Sequence, residues 1–138
     1  MKQHQATLTV KTPGRGLLDI TDEVRSVVRA AGIRTGLCVV FVRHTSCSLA
    51  IQENADPAAR RDLERFLERL APEGDGYEHD AEGPDDSPSH LRALVTRTSE
   101  TIPIDEGNLA LGTWQGLYLC EHRAGPHARS LLVHVSGE

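Results

Sequence analysis

Apolar and polar residues alternate over residues 6–12, with Leu8 and Val10 facing one way and Thr7, Thr9 and Lys11 the other. That period of two predicts a half-buried strand, and Pro13-Gly14-Arg15-Gly16 punctuates its end. The period then changes. Val24, Val27, Val28 and Ala31 recur at helical spacing, with Thr21 as N-cap, Asp22 and Glu23 at the positive end and Gly32 to close. Residues 36–43 are apolar in both phases, short and β-branched, which predicts a central strand covered on both faces. His44-Thr45-Ser46 breaks that run, and strand-like alternation resumes from Ser48 to Gln52.

Asp56-Pro57 opens a second helix, with the Asp as cap and the Pro at a position where no N–H is missed. Ala59, Leu63, Phe66, Leu67 and Leu70 form its expected buried stripe, and the mixed charges of the opposite face read as solvated. Residues 71–88 have no period and predict a long loop. Ser87-Pro88 starts a third helix through His90, Leu91, Leu94 and Val95. Strands follow over 99–104, 108–111, 116–121 and 130–135, with turns at Gly107-Asn108 and Gly112-Thr113. Strands at both ends with helices between them give an α+β class, a mostly antiparallel sheet layered on about three helices.

A chain of 138 residues makes one domain over residues 1–138. The net charge of -5 argues against a general nucleic-acid binder, which needs a basic face. Cys38, Cys47 and Cys120 are an odd number without a CxxC pair, and buried reduced thiols are expected. No apolar run is long enough for a membrane span, and the N-terminal residues show no signal core. The cytoplasm is the expected compartment.

Five polar features can carry chemistry. Asp75, Glu78, Asp80, Glu82, Asp85 and Asp86 crowd one loop that also holds His79, with His90 just beyond. Crowded carboxylates repel unless solvated, protonated or bridged by a cation, so the run is either a solvated acidic loop or part of a cation site. Asp86 and His90 flank the start of the third helix and can face a common point. His44-Thr45-Ser46-Cys47-Ser48 places a base and hydroxyls at a strand end, suited to phosphate or hydroxyl contact by Thr45, Ser46 or Ser48; a hydrogen-bonded strand end is the plain alternative. Glu53 and Asn54 have no structural duty comparable to the Asp56 cap. Gly112-Thr113-Trp114-Gln115-Gly116 is either a tight hairpin or an anion and ring-stacking site. His122, in Glu121-His122-Arg123, can complete a metal site with His79 and His90, and Arg43 or Arg123 can contact phosphate. His4, His127 and His134 read as surface or strand histidines.

Taken in order, His44-Thr45-Ser46-x-Ser48-Leu49, Glu53-Asn54-x-Asp56-Pro57, Glu82-Gly83-x-Asp85-Asp86-x-Pro88-x-His90 and Leu111-Gly112-Thr113-Trp114-Gln115-Gly116 resemble the YjbQ family of secondary thiamine-phosphate synthases. The resemblance spans nearly the whole chain. It implies a sandwich-like α+β domain assembled as a homotrimer. It also implies an activity joining hydroxymethylpyrimidine diphosphate to thiazole phosphate with release of pyrophosphate. On that basis His44, Glu53 and Asp86 are the expected catalytic residues. Thr45, Ser46, Ser48, Asn54, Gly112, Thr113, Trp114, Gln115 and Arg123 are expected to contact substrate or phosphate. His79, Asp85, His90 and His122 are expected around a divalent ion, Zn or Mg, which would offset repulsion between the acidic loop and a phosphorylated metabolite. A non-catalytic trimer that binds metal or phosphate ligands, and a metal-dependent hydrolase of a phosphorylated metabolite, are the competing readings.

Overall fold

The computed structural model describes residues 1–74 and 76–138; Asp75 of the acidic run lies outside the described residues. The elements follow as β1 (Lys2–Thr12), β2 (Gly16–Asp19), α1 (Thr21–Ala31), β3 (Gly36–Val42), β4 (Cys47–Glu53), α2 (Pro57–Leu70), α3 (Asp86–Val95), β5 (Ser99–Asp105), β6 (Asn108–Leu109), β7 (Gln115–Glu121) and β8 (His127–Gly137). They form a five-stranded sheet, β1-β8-β3-β5-β6, and a three-stranded sheet, β2-β7-β4. Every pairing is antiparallel. Among the described residues no helix is long and apolar enough to cross a membrane.

Most strands begin and end within a few residues of where the alternation does. β1 is longer than its alternating stretch because all eleven of its residues pair with β8. β2, four residues within and after the Gly-rich turn, carries no periodic signal of its own and exists because it pairs with β7. Between β5 and β6, Glu106 (φ 48°) and Gly107 (φ 83°) form a two-residue turn with both φ values positive, the twist a tight hairpin requires.

The principal core lies between the two sheets and α1. Val24, Val27 and Val28 of α1 meet Cys38, Val40 and Val42 of β3, Leu49 of β4, Leu117 and Leu119 of β7 and Leu131, Val133 and Val135 of β8. A second, smaller cluster, Leu17, Tyr118 and Cys120 with Ala50 and Leu63, lies on the α2 side of the three-stranded sheet. The strand covered on both faces is therefore β7, buried from Gly116 to Glu121, and not β3. On β3, Leu37 and Phe41 are 47% and 46% exposed because, among the described residues, no layer covers the outer face of the five-stranded sheet.

The helices also differ from expectation. α1 begins at Thr21 itself, whose N–H and hydroxyl both donate to the Asp19 carboxylate, and Gly32 closes it in the left-handed conformation. α2 is capped by Asp56 as expected, yet none of its residues is fully buried, and Phe66 and Leu70 stay about half exposed. It rides on the surface through Leu63 and through Arg60, whose guanidinium lies 4.9 Å from the centre of the Tyr118 ring. Arg60 is thus a packing residue and not merely a solvated charge. α3 inverts its apolar pattern. Asp86, Ser89, Arg92 and Ala93 face inward while Leu94 is 78% exposed. The inward cation of Arg92 is held by the Ala71 carbonyl, which accepts from Nε and Nη2.

Candidate metal and ligand site

The start of α3 and the end of β3 meet at one edge of the structure. Asp86 is the first residue of α3 and His90 follows one turn later, so the two side chains share a helix face. His79 comes from the preceding loop, which turns at Gly83 with a positive φ of 104°. The ligand atoms of His79, Asp86 and His90 all lie within 4.8 Å of one another. Asp86 Oδ2 is 2.7 Å from His79 Nε2 and 3.1 Å from His90 Nε2.

The outer nitrogen of His90 fixes what the inner one can do. His90 Nδ1 lies 2.8 Å from the Thr45 carbonyl oxygen, which can only accept, so Nδ1 carries a proton. Nε2 is then the nitrogen that faces Asp86, donating to the carboxylate when protonated and offering its lone pair to a metal ion once that proton is displaced. An imidazole held by a carbonyl on one nitrogen and open on the other is the usual arrangement of a metal-binding histidine. Two imidazoles and one carboxylate form a donor set suited to zinc or a related divalent ion. The residues present therefore fit such an ion.

Arg123 holds the carboxylates in place. Its Nε donates to Asp85 Oδ2 at 2.9 Å, its Nη1 to Asp86 Oδ1 at 2.8 Å and its Nη2 to the Glu82 carbonyl. Asp85 also accepts from the Ala124 N–H. Burial raises the Asp86 carboxyl, but the His79 hydrogen bond and the charges of His90 and Arg123 outweigh it and hold the group below its ordinary value. Asp85 is likewise held low, burial being outweighed by the Ala124 and Arg123 hydrogen bonds. Both are carboxylates at neutral pH, as ligation and ion pairing require. Asp85 orients the arginine and stands outside the three-residue cluster.

The cluster opens on a cavity of about 590 Å³ lined by His44, Thr45, His79, His90, Ala93, Leu94 and Thr98. The His44 ring accepts a hydrogen bond at Nε2 from the Ser130 N–H, 2.8 Å away. Burial lowers its pKa, and the nearby Arg129 charge adds to this. Ala93, Leu94 and Thr98 were not expected here. The only sequence hint was that Ala93 and Leu94 lie three and four residues beyond His90 on α3.

Other expected residues lie elsewhere. Ser48 is fully buried, and its Oγ bonds His122 Nε2 at 2.8 Å and Thr96 Oγ1 at 2.5 Å, so it is not free to meet a phosphate. His122 is buried with it and takes no part in the His79, Asp86 and His90 cluster. The Ser46 carbonyl accepts from the His122 N–H and from Arg129. Glu53, Asn54 and the 112–115 turn gather at the far end of β4 and β7, six residues from Cys47, or roughly 20 Å along a strand. There Asn54 Nδ2 donates to the Thr113 and Gln115 carbonyls and Gln115 Oε1 accepts from the Gly112 N–H. Glu53 accepts from the Ala55 and Asp56 N–H groups. Trp114 projects from this turn, 65% exposed. One chain therefore holds two polar groupings at opposite ends of the three-stranded sheet.

Sequence reasoning missed the buried pair behind the cavity. Arg129 donates to Glu121 through Nε at 2.7 Å and Nη2 at 2.5 Å, and Thr12 Oγ1 adds a bond at 2.6 Å. The signal was present: Arg129 shares the inward phase of β8 with Leu131 and Val133. The three thiols are buried and unpaired, as expected, and burial pushes Cys38 up to about 11 and Cys47 and Cys120 to about 12.

His122 yields a pH prediction. Burial, with the Arg92 charge second, lowers its pKa from 6.5 to about 4. The neutral ring is the folded form, so stability is complete above the unfolded value and falls as pH drops toward the folded one. The loss amounts to about 3 kcal/mol across that window. Urea titrations at pH 7, 5.5 and 4.5 are expected to show this decline in the wild type and a much shallower one in His122→Gln, which can still bond Ser48 but not ionise. Parallel declines in the two proteins would contradict it.

Comparison with known proteins agrees with the fold. The family model described as UPF0047 protein YjbQ-like matches residues 6–138. A UPF0047 protein of Synechocystis is 54% identical over 138 residues, covering 99% of this chain and 94% of its own. UPF0047 protein YjbQ of Escherichia coli O157:H7 is 40% identical over 136 residues, covering 98% and 99%. A crystal structure from Clostridium acetobutylicum, described as an uncharacterized conserved protein of the yjbq/upf0047 family, superposes with TM-score 0.88 at 36% identity, covering 95% and 99%. A hypothetical protein of Aeropyrum pernix K1 gives TM-score 0.89 at 32% identity, covering 97% and 98%.

Proposed function

Because the chain belongs to the UPF0047 YjbQ-like family, we propose that it is a divalent-metal-assisted enzyme of the thiamine-phosphate synthase type, joining hydroxymethylpyrimidine diphosphate to thiazole phosphate. The observation that carries the metal part is His90, fixed by the Thr45 carbonyl at Nδ1 and turned at Nε2 toward Asp86 and His79. His79, Asp86 and His90 would hold the ion, which when bound supplies Lewis acidity to the departing pyrophosphate. Arg123 keeps Asp86 ionised and pointed inward. His44 and Thr45 line the side of the cavity next to the substrate oxygens, while Ala93 and Leu94 give an apolar wall for a ring. Free thiols and a phosphorylated substrate suit the cytoplasm. The homotrimer remains part of this reading, since the half-exposed Leu37 and Phe41 give the outer sheet face an apolar surface to cover.

One observation favours a second reading. Trp114 and its turn stand far from the cavity within a single chain, so a ring stacked there does not reach the metal cluster. A metal-dependent hydrolase of a phosphorylated metabolite needs only the cluster and a water. Incubation with the two precursors, with and without a chelator reversed by zinc or magnesium, separates the readings. Thiamine phosphate and pyrophosphate in equal amounts, abolished by chelation, is the expected result. Pyrophosphate or phosphate without thiamine phosphate supports the hydrolase. No turnover in folded, metal-loaded protein rejects both and leaves a ligand-binding role.

A further inference from the structure

His44 sits where the ladder between β3 and β8 runs out. The last β3–β8 pair is Val42 with Leu131. One step on, the Arg43 N–H still donates to the Ser130 carbonyl, but the Ser130 N–H turns to His44 Nε2 at 2.8 Å. An imidazole thus takes the place of a strand carbonyl. A backbone N–H can only donate, so Nε2 must accept with its lone pair, and the ring proton must reside on Nδ1. Adding a second proton would set N–H against N–H at that contact, so the ring is fixed as neutral.

That constraint assigns the remaining nitrogen. Among the described residues Nδ1 has no protein partner within hydrogen-bonding distance, and the ring lines the same cavity as His79 and His90. Arg129 and His127 of β8, Glu121 of β7 and Arg43 of the same segment are the charged and titratable groups around it. Glu121 is already matched by Arg129. We infer that His44 is an uncharged hydrogen-bond donor, through Nδ1–H, to a ligand oxygen in this cavity, and that it neither removes nor delivers a proton. The assignment rests on the metal-and-phosphate reading of the cavity. It makes His44 a fixed dipole aimed at an oxygen that gains charge as a phosphate leaving group departs, which is where a preorganised donor is most effective.

Nitrogen-resolved NMR of uniformly ¹⁵N-histidine-labelled protein tests this without relying on turnover. His44 is expected as the Nδ1–H tautomer throughout pH 6 to 8, and its Nδ1–H resonance is expected to move when pyrophosphate is added to zinc-loaded protein. The Nε2–H tautomer, or an imidazolium at pH 7, overturns the inference. So does a pyrophosphate response at His79 and His90 with none at His44. If zinc itself leaves His79 and His90 unmoved, the metal reading has failed, and the ligand role of His44 falls with it. Two substitutions then separate donor from base in the enzyme. His44→Gln places an acceptor near Nε2 but no donor near Nδ1, and turnover is expected to drop about 100-fold. His44→Asn restores an N–H near Nδ1, and the loss is expected to shrink to less than about tenfold, with metal content unchanged in both variants. Equal loss in the two, together with disappearance of an ionisation from the pH profile, is the result a proton-transfer role gives.

Discussion

His90→Ala is expected to lower bound divalent metal from about one ion per chain to less than about 0.1, through an affinity loss of at least 100-fold. Removing one of three protein donors should cost at least as much as losing an outer-shell partner, which already costs 10- to 100-fold. The fold should survive, because the His90 side chain is about one-third exposed and the interior of α3 is held by Arg92 and Ala93. Any metal-dependent turnover should fall to background with the metal. Asp86→Asn should reduce metal similarly but should also release Arg123, whose Nη1 then loses a carboxylate partner. Elemental analysis, with circular dichroism to verify folding, checks both. Undiminished metal in folded His90→Ala protein would show that the ion, if present, is held elsewhere.

Arg129→Met is expected to cost about 3–5 kcal/mol of folding stability, the characteristic loss when one partner of a buried ion pair is removed. Both oxygens of Glu121 are engaged by Arg129 inside the domain, and both residues are almost fully buried. Burial raises the Glu121 carboxyl, but hydrogen bonds from Arg129, Thr12 and the Arg123 N–H more than offset this and hold it low. Without Arg129 the carboxylate is a buried, poorly compensated charge. Arg129→Met combined with Glu121→Gln should recover a large part of the loss, because the uncharged amide can still accept from Thr12. Urea midpoints at pH 7 give the comparison, and a single-variant loss below about 1 kcal/mol would mean that the pair is solvated. The pair also bears on the site, since Arg129 Nη2 reaches the Ser46 carbonyl beside the cavity.

Much of this molecule can be read along the chain. Alternation located β1 and β4, and Asp56-Pro57 located the start of α2. The spacing of Asp86 and His90 placed the two side chains on one helix face, although Asp85 and not Asp86 was the carboxylate expected beside the ion. What failed was any inference needing knowledge of which layer lies opposite. The phase of Leu37, Val39 and Phe41 looks like core, yet among the described residues no element covers it. Leu91, Leu94 and Val95 look like a buried stripe, yet α3 turns inward with Arg92, because Ala71 offers its carbonyl there. Non-local partners were equally hidden. Arg123 was legible as a possible phosphate contact, but its partners are the Asp85 and Asp86 carboxylates, 38 and 37 residues away. His122 was legible as a possible ligand, but its partner is Ser48 on β4. Four motifs in order identified the family without showing that they occupy two ends of a sheet.

A crystal of this chain grown without chelator and soaked in zinc, with diffraction recorded on both sides of the zinc absorption edge, addresses the central claim directly. An anomalous peak within ligating distance of His79 Nε2, Asp86 Oδ2 and His90 Nε2, with the His90 to Thr45 hydrogen bond intact, is the predicted result. Fully formed crystals with no peak between those atoms, or with zinc only at other side chains, would contradict the account.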